Sequence, residues 1–304
     1  LISGGNCYIA GLNFVMDAIK VKAPAKINLF LKVIGKRPDG YHDIWSWFQA
    51  IDLFDHLTLI KRRESGFKIE VSGEFTAPAD ESNTVWKACN LFFERFDLPG
   101  GLEISLEKHI PTEAGLGGGS ADAAATIYAV NRLYGLDLST GVMAETGLEI
   151  GSDMPFFFSS GQAEITGRGE NIRNIELPTD YYVVLIKPGF GLSTAEGYRL
   201  LKMDLTRPMG GIKLLRCKNF KAMVDAISEH ENDFERVQFD RFPELAQIKR
   251  ELASAGAQVT RMSGSGPTIF GLFDKLPERG IVQRIAGGSW LARGLRPISL
   301  PAWE

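Results

Sequence analysis

Four glycines within five residues mark the stretch of this chain best suited to chemistry, Pro111-Thr112-Glu113-Ala114-Gly115-Leu116-Gly117-Gly118-Gly119-Ser120-Ala121. Without Cβ atoms the backbone reaches conformations in which several N–H groups point at one anion. The alanine-rich run from Ser120 to Tyr134 reads as a helix, whose entrance adds unpaired N–H groups and the positive end of its dipole. A di- or triphosphate is the natural guest, and a plain glycine turn capped by Ser120 is the alternative. The segment is not a P-loop, because no lysine follows the glycines. Nor is it a dinucleotide fingerprint, since the third glycine is replaced by Ser120 and the loop opens with Pro111 instead of leaving a strand directly.

Three other places carry reactive or recognising groups. Asp153 lies in Gly151-Ser152-Asp153-Met154-Pro155-Phe156-Phe157, one carboxylate among apolar neighbours, suited either to taking a proton from an alcohol or to capping a helix. Lys26 interrupts the apolar strand Ala23-Pro24-Ala25-Lys26-Ile27-Asn28-Leu29, where an ammonium serves a site or faces water at a sheet edge. Tyr41-His42, after the Asp39-Gly40 turn, is either an aromatic face and hydrogen-bonding ring for a planar ligand or an ordinary packed tyrosine beside a turn histidine. Ser263-Gly264-Ser265-Gly266 is either a hairpin turn or a donor of amides and hydroxyls to the same site.

The elements that must position these groups follow from periodicity. Residues 19–34 alternate as a strand, with more strand near 46–51, 57–61 and 67–71. Asn83 begins a helix stopped by Pro99-Gly100-Gly101, and 102–106 is a strand feeding the glycine loop. After Gly161 come strands at 162–166, 181–187, 258–262 and 268–273, with helices near 194–202, 221–228 and 244–255. This reads as α+β with two units, 16–162 and 163–304. Residues 1–15, uncharged and without sustained alternation, are expected to be an extension outside the fold, disordered or a product of upstream translation.

Of 304 residues, 34 are basic and 37 acidic, so a general nucleic-acid or anionic-membrane binder is disfavoured. Cys7, Cys89 and Cys217 are too few and too scattered for a disulfide framework or a CxxC zinc site. With no apolar run long enough to span a bilayer, a cytoplasmic chain with free thiols is expected.

Together these segments carry a resemblance. The Pro-x(3)-Gly-Leu-Gly-Gly-Gly-Ser-Ala loop resembles the nucleotide loop of the galactokinase, homoserine kinase and mevalonate kinase (GHMP) superfamily. Residues 23–29 and 263–268 resemble its first and third motifs. Asp39-Gly40-Tyr41-His42, 151–157 and Asn232-Asp233-Phe234-Glu235 are similar to the branch acting on a cytidylated methylerythritol in the non-mevalonate isoprenoid route. The resemblance implies a two-domain α+β fold, an N-terminal nucleotide domain like domain 2 of ribosomal protein S5 and a C-terminal ferredoxin-like domain, with the site in the cleft between them. It implies ATP and magnesium, and transfer of the γ-phosphoryl to the 2-hydroxyl of that small molecule, with no nucleic acid or membrane as partner. It also implies roles for individual residues. Asp153 and Lys26 would be catalytic; Asn83 and Lys108 would lie near the nucleotide's base and sugar; Pro111, Gly115 to Ser120 and Ala121 would hold the phosphates. Asn28, Tyr41, His42, Thr194 and Tyr198 would touch the acceptor, with Tyr41 and Tyr198 as walls about the cytosine. No residue is assigned to magnesium, since neither Glu113 nor Asp122 has an unambiguous role.

Overall fold

The computed structural model describes residues 17–201 and 216–303. The expected N-terminal extension, and Cys7 in it, lie outside the described residues, as does Lys202 at the end of one expected helix.

Alternation in the first third builds one long hairpin: β1 (Ala18–Lys36) pairs antiparallel with β2 (His42–Arg62), from Ala18 opposite Ile60 to Lys36 opposite His42. The two strands expected at 46–51 and 57–61 are thus a single strand, and the pairing slips at Pro24/Ala25, where proline cannot donate a ladder bond. The far half of β2 pairs with β4 (Gly101–Lys108), which also pairs in parallel with β3 (Gly66–Gly73). The crossover helix α1 (Thr84–Phe96) buries Val85, Ala88, Cys89 and Phe92.

The near half of β2 pairs with β5 (Gln162–Gly167), and β5 with β6 (Asn171–Asn174), completing a six-stranded sheet. This corrects the division expected at residue 163: the strands as far as Asn174 belong to the first sheet, held there by backbone pairing with β2 that local sequence does not reveal. Behind β1 lies α2 (Gly118–Tyr134), whose buried alanines 121, 123, 124, 125 and 129 permit close approach. Next come α3 (Thr140–Gly147) and the short 3-10 helix Met154–Phe158.

The second sheet is antiparallel, in the order β10-β7-β9-β8: β7 (Tyr182–Lys187), β8 (Val259–Met262), β9 (Ile269–Phe273) and β10 (Trp290–Leu295). Between β7 and β8 run α4 (Thr194–Leu200), α5 (Phe220–Ile227), α6 (Phe234–Arg241) and α7 (Pro243–Ser254), and α8 (Arg279–Ala286) joins β9 to β10. This is a β-α-β-β-α-β plan of ferredoxin-like type with extra helices.

Beyond β10 the chain returns to the first sheet. Arg296 accepts from Asp52 N at 3.0 Å, Ile298 N donates to Ala50 at 3.0 Å, and Trp303 accepts from Lys22 N at 2.8 Å. Trp303 then stacks on Tyr128 with centroids 5.7 Å apart.

Candidate active site

The glycine loop folds as its composition requires. Gly115 and Gly117 take φ of +76° and +73°, and the helix begins at Gly118 instead of at Ser120. Gly117 occupies the cap position, no side chain caps the helix, and the first helical bond joins Ala121 N to Gly117 O at 2.9 Å. The amides of Gly118, Gly119 and Ser120 therefore precede any intrahelical partner, and an anion can satisfy them. The capped-turn alternative fails, because the Ser120 hydroxyl does not close the helix end.

Lys26 lies directly against this entrance. A Cβ on Gly117 would sit 2.9 Å from Lys26 Cγ, and Lys26 N donates to Leu116 O at 2.9 Å. Its buried ammonium is 3.2 Å from Asp153 Oδ2, donates to Asn28 Oδ1 at 2.7 Å, and stands 4.5 Å from the centre of the Phe48 ring. The Asp153 side chain does not cap the 3-10 helix that follows it, and at 31% exposure its carboxylate remains reachable from the cleft.

The second unit is stitched to this couple through Asn28. Its Oδ1 also accepts from Gly264 N at 2.9 Å, its own N–H donates to Ser263 Oγ at 3.3 Å, and Ser263 Oγ donates to Gly115 O at 2.9 Å. Gly115 must be glycine, since a Cβ there would lie 2.0 Å from the Ser263 carbonyl oxygen. Asn232 holds the other side of that loop, donating from Nδ2 to Met262 O and Gly264 O at 2.7 Å each.

Away from the couple, His42 lies flat on Tyr198, with centroids 4.4 Å apart and planes 12° apart. Tyr41 is half exposed and faces the Arg168 guanidinium at 4.8 Å. One face of Tyr198 is therefore covered by His42. Burial, followed by the charge of Lys36, lowers the His42 pKa, which keeps its ring neutral near pH 7 with one donor and one acceptor. The Thr194 hydroxyl is 2.7 Å from that of Ser265.

The glycine loop, Lys26, Asn28, Asp153, Tyr41, His42, Thr194 and Tyr198 line one cavity of about 1130 Å³. It runs from Pro78, Asn83 and Thr84 past the glycine loop, Lys26 and Asp153 to Tyr41, His42 and Tyr198. That exceeds the roughly 300–1,000 Å³ usual for one small ligand and suits two. No helix among the described residues is long and apolar enough to cross a membrane.

The family model described as GHMP kinases N terminal domain matches residues 83–161, and GHMP kinases C terminal matches 212–289. The 4-diphosphocytidyl-2-C-methyl-D-erythritol kinase of Bacillus subtilis is 43% identical over 270 residues, 88% of this chain and 91% of its own. That of Bacillus licheniformis is 44% identical with the same coverage. The chain belongs to the GHMP kinase family. A crystal structure of 4-(cytidine 5'-diphospho)-2C-methyl-D-erythritol kinase matches with a TM-score of 0.72 at 30% identity, covering 92% of this chain and 99% of that one. Homoserine kinase from Cytophaga hutchinsonii, at 20% identity, shares the fold with a TM-score of 0.73 over 98% of this chain and 99% of its own. As a GHMP kinase the chain is an ATP-dependent phosphotransferase with an alcohol group as acceptor.

Two residues expected near the nucleotide, Asn83 and Lys108, line the cavity of this GHMP kinase and are also bonded within the protein. Asn83 caps α1, accepting from Val85 N at 2.9 Å and donating to Pro78 O at 2.6 Å, so its side chain is occupied. Lys108 is buried, bonded to Asp55 Oδ2 and, at 2.6 Å, to Asp122 Oδ2. Both line the cavity, Lys108 bonded to carboxylates from distant segments and Asn83 to backbone groups of its own turn. Asp55 was given no role in the sequence reading, yet its Oδ1 also accepts from His109 N at 2.6 Å and Ile110 N at 2.8 Å, fixing the approach to the glycine loop. A lone aspartate in a strand gives no local sign of such a role.

Burial works against the Lys108 ammonium, but the charges of Asp122 and Asp55 outweigh it and raise its pKa. Burial, with the Asp55 charge adding to it, pushes Asp122 up to about 8. The folded value thus lies above the unfolded one, and the stabilisation from holding that proton is full below about pH 4 and lost as pH rises through about 8. Asp122→Asn, which keeps shape without the titration, is expected to flatten this fall. Melting curves of both proteins between about pH 5 and about pH 9 check it, and parallel Tm profiles would contradict it.

Proposed function

We propose that this GHMP kinase phosphorylates the 2-hydroxyl of 4-diphosphocytidyl-2-C-methyl-D-erythritol. The observation that carries the reading is the Lys26–Asp153 couple, packed against the glycine-lined helix entrance in a cavity whose far end carries Tyr41, His42 and Tyr198. The names of relatives at 43–44% identity support the choice of acceptor.

In this reading the amides of Gly118 to Ser120 hold the ATP phosphates, while Pro111, Leu116 and Ala121 shape the loop. The acceptor hydroxyl gives its proton to Asp153, and its oxygen bonds to the γ-phosphorus as the bond from that phosphorus to the β,γ-bridging oxygen breaks, releasing ADP. Lys26 stabilises the charge gathering on the acceptor oxygen and holds Asp153 in place. Asn28 orients Lys26, and Thr194 with Ser265 closes the acceptor side.

Among the described residues no group of three His, Cys, Asp or Glu side chains is arranged to hold a metal ion. Magnesium would therefore arrive on the nucleotide, held mainly by phosphate oxygens and water, with Ser120 and Glu113 near enough to the loop to assist. Bound there, it would neutralise phosphate charge.

The test is ADP release from ATP and magnesium with the cytidylated acceptor, homoserine or mevalonate. Turnover confined to the cytidylated compound is expected; comparable turnover with either of the others would overturn the reading. We also expect Tyr41→Ala to weaken the acceptor by about 1–3 kcal/mol through lost base stacking, read as a raised acceptor KM with an unchanged KM for ATP. A parallel rise in both constants would remove Tyr41 from the base site.

A further inference from the structure

Where the chain enters α6 it reads Asn232-Asp233-Phe234-Glu235, and this short segment holds two elements at once. On one side it lies along β1: Leu31 N donates to Glu231 O at 3.3 Å, Asp233 N to Leu31 O at 2.8 Å, and Val33 N to Asp233 Oδ2 at 2.9 Å. On the other it grips the loop between β8 and β9. Glu235 Oε1 accepts from Met262 N at 2.7 Å, and Asn232 Nδ2 donates to Met262 O and Gly264 O. The strand that carries Lys26 is thus the reference against which that loop is set.

Every polar atom of the Asn232 side chain is engaged, since Oδ1 also accepts from Phe234 N at 2.9 Å. Two facing carbonyls admit only the NH2 end of an amide, and at 1% exposure water does not compete. No other side chain of that length offers two donors and an acceptor. The Gly264 N–H belongs to the Ser263–Gly264 peptide, and Asn232 holds the peptide units immediately before and after it. Because each unit is planar, fixing both neighbours aims the N–H between them. That N–H meets Asn28 Oδ1, the oxygen that also receives the Lys26 ammonium.

We propose that Asn232 is a positioning residue for phosphoryl transfer: it fixes the Gly264 amide on Asn28, so that Asn28 holds Lys26 against Asp153. The inference rests on the Lys26–Asp153 reading above.

A double-variant cycle tests this, with Asn232→Ala, Asn232→Ser, Asn28→Ala and the Asn28→Ala/Asn232→Ala pair assayed on the cytidylated acceptor at a temperature where circular dichroism shows each folded. Asn232→Ala is expected to lower kcat by roughly 10–100-fold, with KM for ATP and for the acceptor within about threefold of the unmodified protein. Asn232→Ser, which keeps one donor, should fall between, and it completes the cycle if Asn232→Ala does not fold. The pair should be no slower than Asn28→Ala alone, because the same link is already broken. A merely structural asparagine would instead multiply the loss caused by Asn28→Ala. That result, an unchanged kcat in the Asn232 variants, or a loss confined to KM overturns the assignment. Full turnover by Asp153→Asn, or none by the unmodified protein, would bring down the reading on which it rests, and this inference with it.

Discussion

Asp153→Asn is expected to lower kcat by roughly 10²–10⁴-fold, the usual worth of a positioned general base, with ATP affinity nearly unchanged. Its structural duty is confined to the ion pair with Lys26, 3.2 Å away, since it leaves its helix end uncapped. Asparagine keeps the shape and an oxygen for that ammonium but cannot take a proton. The glycine-loop amides that would hold ATP are backbone groups and are untouched by the change. Single-turnover rates beside nucleotide titrations separate the two effects. Near-normal turnover in the variant would show that the proton leaves by another route.

Asp55→Ala is expected to be the most damaging change to stability, about 3–5 kcal/mol, or a Tm lower by roughly 10 °C. One fully buried carboxylate neutralises Lys108 and satisfies the amides of His109 and Ile110. Its removal takes the main counter-charge from a buried ammonium and strands the amides of His109 and Ile110 together, at the point where β4 hands the chain to the nucleotide loop. KM for ATP should rise as well, since Ile110 and Pro111 set the angle at which the glycines meet the phosphates. A Tm within about 2 °C of the unmodified protein would mean that water replaces the carboxylate at no cost, contrary to the burial seen.

The parts of the site legible in the sequence are those whose residue types announce their physics. The glycine cluster has no economical use except close backbone approach, and Lys26 and Asp153 are charges set where apolar residues were due. The structure brings these three features into one cavity. The ferredoxin-like order of the second sheet agrees with the superfamily resemblance. Lys108 and Asn83 were harder to read, because a motif position reports where a side chain starts and not which neighbour reaches its polar end first. Asp55, 53 residues from Lys108, and the Pro78 carbonyl, five residues before Asn83, are those neighbours. The pairing of β5 with β2, which moves the expected division of the chain, leaves no local signal either.

The return of residues 296–303 to the first sheet bears on how reactants enter. The polypeptide crosses from one half to the other after Asn174 and is sewn back at Arg296, Ile298 and Trp303, while Asn28, Ser263 and Gly264 clasp the floor. A clamshell tethered in this way has little freedom to swing open. Admission and exit then fall to the lip of the cleft, where His42 lies stacked on Tyr198.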